Sequence, residues 1–299
     1  IDAEGAEKPQ LTYGITDLQA ETIKKYTMFG GSRNYYNLWL YAAAAEEKNE
    51  NIPGPDPIYW CGIYHPDADK VYTDLEKYRK DFCKEGKPYI GILFYREEWV
   101  WEDLTYQTAL IREIEAQGMN AVCVFSNGMP NEEMGMPSLK KVFGQFFSSN
   151  GFPVIDVLLN TLKFSLTSSG SMDIEFLKKW NVPVLQAYTL IAPYEEWKNS
   201  FEGMNAMEIS ISVSLPEFDG IIHGVPVATK KIMENGDVRY LPIDERVKRI
   251  VKKAGKWAVL RRKENSAKKI AIIFHNYPPK NSNIGSALGL DTIESIRRL

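Results

Sequence analysis

The stretch from Lys87 to Phe125 constrains the fold more than any other. It reads KPYIGILFYREEW, then EDLTYQTALIREIEAQG, then MNAVCVF. The first run is apolar without interruption from Tyr89 to Tyr95, and the last is apolar from Ala121 to Phe125. Short runs of continuous rather than alternating hydrophobicity suit strands covered on both faces. Between them, Tyr106, Leu110 and Ile114 fall at helical spacing on one face, and Gly118 supplies a stop. Strand, helix, strand of this kind is a buried parallel βαβ unit, because parallel neighbours need a crossover.

The alternation continues. VIDVLLNT reads as a strand, DIEFLKKWN as a helix, VPVLQAYT as a strand, EEWKNSFE as a short helix and FDGIIHGVP as a strand. Such a series predicts an α/β fold, with a mostly parallel sheet, helices on both faces and Rossmann/flavodoxin-like units. Ahead of it, Thr16 and Gln19 have capping-box spacing, and Gly30-Gly31 close a first helix. A second helix starts at Ser32 and runs through NYYNLWLYAAAAEE, and PDPIYWCGIYHPD adds a short apolar run. From Asp244 a long helix follows, with Val247, Ile250, Val251, Ala254, Trp257 and Ala258 at helical spacing. Eleven Lys or Arg and one acidic residue, Glu264, lie between Arg246 and Lys269. This basic stretch reads as a solvated helix face, or alternatively as a surface for phosphate or an acidic partner; the first is favoured, since no nucleic-acid motif accompanies it. A new strand is expected from Lys269, then a loop and a helix from about Asp291. The expected organisation is a helical segment over 1–56, an α/β domain over 57–242, a basic connecting helix over 243–267, and the start of a second α/β domain over 268–299. A lone βα half-unit cannot bury both its faces, so the chain is expected to be a piece of a longer multidomain protein.

Composition closes off several classes. A chain of 299 residues with 44% hydrophobic content and net charge −3 is ordinary globular material, with no electrostatic pull toward nucleic acid or an anionic membrane. It has no apolar run long enough for a membrane span. Cys61, Cys83 and Cys123 are widely spaced, without CxxC, which argues for buried thiols in a reducing, cytoplasmic setting.

Ligands of open α/β sheets bind outside the carboxyl ends of the strands. Expected at such ends are His65 after Ile58–Tyr64, Arg96 and Glu97 after Ile90–Tyr95, Ser126-Asn127 after Ala121–Phe125, His223 after Gly220–Ile222 and His275 after Ile270–Phe274. All three histidines of the chain are in this set, as structural hydrogen-bonders or as ligands. The sequence lacks GxxxxGK[ST], HExxH, GxSxG and GxGxxG, which excludes a P-loop ATP site, a zincin site, a nucleophile elbow and a dinucleotide fingerprint. Tyr277-Pro278-Pro279 is a stiff element able to hold His275, Asn276 and Asn281.

The segment AIIFHNYPPKNSNIGSALGLDT resembles the YPPxN...IG...GLD signature of the large subunit of cobaltochelatase and of its relative, the H subunit of magnesium chelatase. GIYHPDA, GILFYREEW, ALIREIEAQGMNAVCVF, DGIIHGVPVATK and PIDERV follow in the order expected for that family, with Gly289-Leu290-Asp291 more similar to the cobalt branch. The resemblance implies a tetrapyrrole-binding subunit that inserts cobalt, or magnesium in the other branch, as substrate metal. It also implies ATP hydrolysis on a separate AAA+ subunit and a second, smaller subunit. Metal insertion strips water from the ion and removes two pyrrole protons, which calls for imidazole or carboxylate ligands and a base. Candidates of the right type are His65, His223 and His275 for the metal, and His275 and Glu97 for catalysis. Arg96, Trp99, Tyr277 and Asn281 are the candidates for the macrocycle, with Trp101 as a further aromatic wall.

Overall fold

The computed structural model describes residues 14–44, 52–168, 170–286 and 289–299. Glu46 and Glu47 of the expected second helix, and Ala287 and Leu288 of the C-terminal loop motif, lie outside the described residues. Residues 1–261 and 262–299 form two compact units.

The first unit opens with α1 (Asp17–Phe29), capped reciprocally by Thr16 and Gln19, and α2 (Ser32–Ala43). The chain then forms β1 (Cys61–Tyr64), α3 (Leu75–Phe82), β2 (Tyr89–Tyr95), α4 (Arg96–Val100), α5 (Thr105–Ala116) and β3 (Asn120–Ser126). Next come α6 (Leu139–Phe146), a small ladder of β4 (Ser148–Ser149) and β5 (Phe152–Pro153), β6 (Val157–Asn160), α7 (Ile174–Trp180) and β7 (Val184–Leu190). Beyond it lie α8 (Tyr194–Asn199), α9 (Ala206–Ile209), a π-helical turn (Ser210–Ser214), α10 (Leu215–Glu217), β8 (Gly224–Ile232), β9 (Val238–Pro242) and α11 (Asp244–Arg262).

Seven strands make one sheet in the order β1-β3-β2-β6-β7-β8-β9. The five central strands are parallel, as the continuous apolar runs predict, and β1 and β9 close the two edges antiparallel. Alternate residues of each strand feed two cores. Ile90, Ile92 and Phe94 pack with Tyr106, Leu110, Ile111 and Ile114 of α5 and with Val247, Ile250, Val251, Ala254 and Ala258 of α11. On the opposite face, Leu93, Val122 and Val124 pack with Tyr78 of α3, Val142 and Phe143 of α6 and Trp180 of α7. Gly91 belongs to this second face, where a Cβ would stand 2.5 Å from Ile155 and 3.1 Å from the Phe147 ring, so only glycine admits that packing.

In the first unit, three expectations change. β1 runs antiparallel to β3, because an apolar run carries no information about strand direction. The strand placed at Gly220–Ile222 begins instead at Gly224 and turns back through Asn235-Gly236 into β9. Asn-Gly between extended runs is the usual hairpin signal. α11 is a core element of the first unit, with five buried apolar residues, rather than a connector. Its basic face stays solvated, with Lys248, Arg249, Lys252 and Lys256 exposed.

In the second unit the expected strand Ile270–Phe274 forms no ladder, and Ile270 and Ile273 are 85% and 91% exposed. A strand exists only with a neighbour to pair its backbone, and none of the described residues supplies one. His275 accepts a bond at its carbonyl from Gly285 N–H (2.7 Å), and a short α12 (Thr292–Arg298) is capped by Asp291.

Candidate site: a buried carboxyl at the strand ends

The carboxyl ends of β2, β6 and β7 lie side by side at one edge of the sheet. Past Tyr95 the chain winds into α4, whose first turn directs successive side chains differently. Arg96 is buried, Glu97 is exposed, and Glu98 turns its carboxyl toward α5. Glu98 Oε2 accepts from the Tyr106 hydroxyl (2.7 Å) and from Gln107 Nε2 (2.8 Å). The Tyr106 hydroxyl also lies 3.2 Å from Thr161 Oγ1, which donates to the Leu93 carbonyl (3.0 Å).

Burial is the main reason the Glu98 carboxyl is pushed up to about 8. Asp103 and Glu97 push in the same direction, while the Tyr106 hydrogen bond and the Lys163 charge oppose them. The hydrogen bonds have two consistent arrangements. With a proton on Oε2, the chain Gln107, Glu98, Tyr106, Thr161, Leu93 carbonyl runs in one direction and each donor is used once. With Glu98 ionised, the Tyr106 proton turns to the carboxylate and leaves Thr161 Oγ1 without a donor from Tyr106. Protonation of Glu98 is thus coupled to the orientation of the Tyr106 hydroxyl. Gln107 Oε1 and Asp103 Oδ1 are buried acceptors with no partner among the described residues, which makes the surroundings still more receptive to a proton.

Across this edge, Lys163 follows β6 and donates its backbone N–H to the Tyr95 hydroxyl (2.9 Å). Burial lowers the Lys163 pKa, and the charges of Glu208 and Glu98 oppose that shift. Glu208 accepts from Ile191 N–H (2.5 Å) and Asn205 Nδ2 (2.8 Å). A carboxyl near neutrality, an ammonium and a second fixed carboxylate form a site suited to taking up and releasing protons.

The residues singled out from the sequence are dispersed. His65 lies at the opposite, amino edge, because β1 is antiparallel. Its Nε2 is 3.0 Å from Glu115, its Nδ1 accepts from Asp67 N–H (3.2 Å), and its ring packs 4.1 Å from that of Phe82. His223 precedes β8 instead of closing a strand, so it too falls at the amino edge, with Nδ1 3.3 Å from Lys253 Nζ. β1 and β8 are separated by four strands in the sheet order, a spacing of about 24 Å, so these two histidines cannot share an ion. His275, Tyr277 and Asn281 belong to the second unit, where Tyr277 is 74% exposed and its ring lies 6.3 Å from that of His275. No group of three or more His, Cys, Asp or Glu among the described residues has the geometry of a metal site.

Arg96 is not a rim residue. It donates to the carbonyls of Tyr59 (2.7 Å) and Phe29 (2.8 Å) and stacks over Trp60, tying α1 and the segment before β1 to the sheet. Burial lowers its pKa to about 10, so it stays charged at neutral pH. Trp99 lies flat on Phe125, with ring centroids 4.3 Å apart. Trp101 stacks on Tyr35. Glu98, Thr161, Lys163 and Glu208 were not singled out in the sequence, and Tyr106 is read there only as a position on one face of α5. The available signal was the REEW run itself, in which α4 starts at Arg96 and turns the second glutamate inward.

A sequence model of the family described as CobN/Magnesium Chelatase matches residues 24–299. An uncharacterized protein of Methanocaldococcus jannaschii is 38% identical over 94% of this chain and 24% of its own length. The aerobic cobaltochelatase subunit CobN of Sinorhizobium sp. is 30% identical over 89% of this chain and 21% of its own, and the chloroplastic magnesium-chelatase subunit ChlH of Oryza sativa subsp. indica 27% over 89% and 20%. The chain therefore spans about a quarter or less of the length of these relatives. In structure, the catalytic subunit of cobaltochelatase from Mycobacterium tuberculosis has the same fold, at TM-score 0.62 and 23% identity, covering 95% of this chain and 23% of that one. With 24–299 matched, the chain belongs to the CobN/magnesium chelatase family.

Proposed function

We propose that the chain forms part of the large tetrapyrrole-binding subunit of an ATP-dependent chelatase that inserts cobalt into a corrin precursor in cobalamin biosynthesis. A separate AAA+ subunit hydrolyses ATP, a second smaller subunit completes the assembly, and the enzyme works in the cytoplasm. The observation that carries this reading is the family match over residues 24–299, and the site at the strand ends gives it a chemical role.

Metal insertion replaces two pyrrolic N–H protons by one divalent ion, and those protons need an acceptor. Glu98 is the base in this reading, since a carboxyl at about 8 exchanges its proton near neutral pH. Tyr106 and Gln107 hold its orientation, and Lys163 offsets charge as it ionises. His275 and Tyr277, both exposed in the second unit, are proposed contacts for the incoming ion and the macrocycle.

A second reading, magnesium insertion into protoporphyrin IX, rests on the 27% identity to ChlH, close to the 30% to CobN. Reconstitution with the two partner subunits and ATP, followed by absorbance, separates them. Cobalt-dependent conversion of the corrin precursor is expected; conversion of protoporphyrin by magnesium alone would establish the second reading. Binding of either tetrapyrrole without insertion of either metal would reduce the chain to a binding module.

A further inference from the structure

The loop after β6 holds a bulky residue against its backbone preference. Phe164 has φ +66°, a left-handed conformation that costs a large side chain free energy and persists only where surroundings impose it. Two anchors impose it here. On one side, Phe164 N–H donates to the Ile211 carbonyl (2.7 Å) in the π-helical turn, itself an irregularity common at functional sites, where the Ser212 hydroxyl is fully buried without a partner among the described residues. On the other, Asp219 accepts from Ser165 Oγ (2.8 Å), Leu166 N–H (2.6 Å) and Thr167 Oγ1 (2.6 Å).

What this arrangement produces is an aromatic ring 47% exposed, with no ring contact among the described residues. Its neighbour Lys163 is half-buried, and its ammonium makes no hydrogen bond or ion pair among the described residues, although Glu98 and Glu208 are close enough to act on it. A core would bury the ring and a solvated surface would leave the lysine extended. A presented ring beside a recessed cation instead matches a flat conjugated ligand with an acidic edge.

We propose that Phe164 and Lys163 are the seat for one edge of the macrocycle: the ring stacks on its π face and the ammonium pairs with an acid side chain, bringing the pyrrolic N–H groups toward Glu98. This rests on the tetrapyrrole reading above. Fluorescence and absorbance titration of the full chain with deuteroporphyrin IX, which carries two propionates, and with its dimethyl ester tests it. The wild type is expected to bind the diacid more tightly than the ester. Phe164→Gly is expected to weaken both by about tenfold while raising the thermal midpoint, since glycine adopts this φ freely. Lys163→Met is expected to bring the diacid down to the affinity of the ester. Unchanged binding in both variants, with a binding wild type, would overturn the seat and leave the chelatase reading standing. A lowered midpoint in Phe164→Gly would refute the claim that the loop constrains Phe164. A wild type that binds neither probe would overturn the seat together with the tetrapyrrole reading.

Discussion

The two edges of the sheet carry similar residues in opposite circumstances. At the amino edge, Asp67 faces the Arg112 guanidinium at 2.5 and 2.7 Å, which holds its carboxyl below the usual range, and Glu115 pairs with His65 and Arg112. At the carboxyl edge, Glu98 receives hydrogen bonds only from neutral donors among the described residues, while burial raises its pKa. A bonded partner charge fixes a carboxylate in one state, whereas desolvation without a hydrogen-bonded cation leaves a carboxyl poised between two. The first edge is therefore read as structural and the second as chemical, and four experiments can break or sharpen that contrast.

The largest effect is expected from Glu98→Gln, which keeps the shape and removes the base: chelation by the assembled enzyme should fall by about 10²–10⁴-fold with the fold intact by circular dichroism. Near-normal turnover would move the proton acceptor elsewhere. Next is the pH dependence of stability. The folded Glu98 keeps its proton up to about 8, and the unfolded carboxyl releases it near 4.5, so the folded state binds more protons between these values. Stability from this group is full below about 4.5 and is lost as pH rises toward 8, at up to about 1.4 kcal/mol per pH unit. Glu98→Gln should flatten that slope in denaturant titrations, and an unchanged slope would refute the raised pKa.

Arg96→Met ranks third. It leaves the Tyr59 and Phe29 carbonyls without their donor and removes the stack on Trp60, a cost of about 2–4 kcal/mol. Proteolysis near α1 and α2 should accelerate, because Arg96 ties that segment to the sheet. Loss of tetrapyrrole binding with stability intact would instead restore Arg96 as a ligand contact. Smallest is Arg112→Ala, which removes an exposed ion pair and should leave the thermal midpoint almost unchanged, since solvent screens such pairs. A large drop would show that the amino-edge network also positions the sheet.

Much of the frame was readable because its signals are local. The Thr16–Gln19 cap, the apolar runs of β2 and β3, and Leu110 and Ile114 on the buried side of α5 each follow from spacing alone. The β8–β9 hairpin was not read from the sequence, although Asn235-Gly236 between extended runs is a local signal for it. The site was less legible. Glu97 and Glu98 are adjacent and identical in type, and only the helical phase set by α4 decides which one meets Tyr106. Arg96 at a strand end looked like a ligand contact, and only the arrival of α1 and Trp60 shows that its charge is spent internally.

The sequence by itself determined the parallel βαβ core, the helices that cover it and, through its ordered motifs, the family. Those properties depend on hydrophobic periodicity and on residues close in the chain. Only the tertiary structure decided the direction of β1, the edge on which each histidine falls, and the assembly of Glu98, Tyr106, Thr161 and Lys163 into one site. These depend on strand order, which brings together residues as much as 65 positions apart in sequence (Lys163 against Glu98) and which no local pattern encodes.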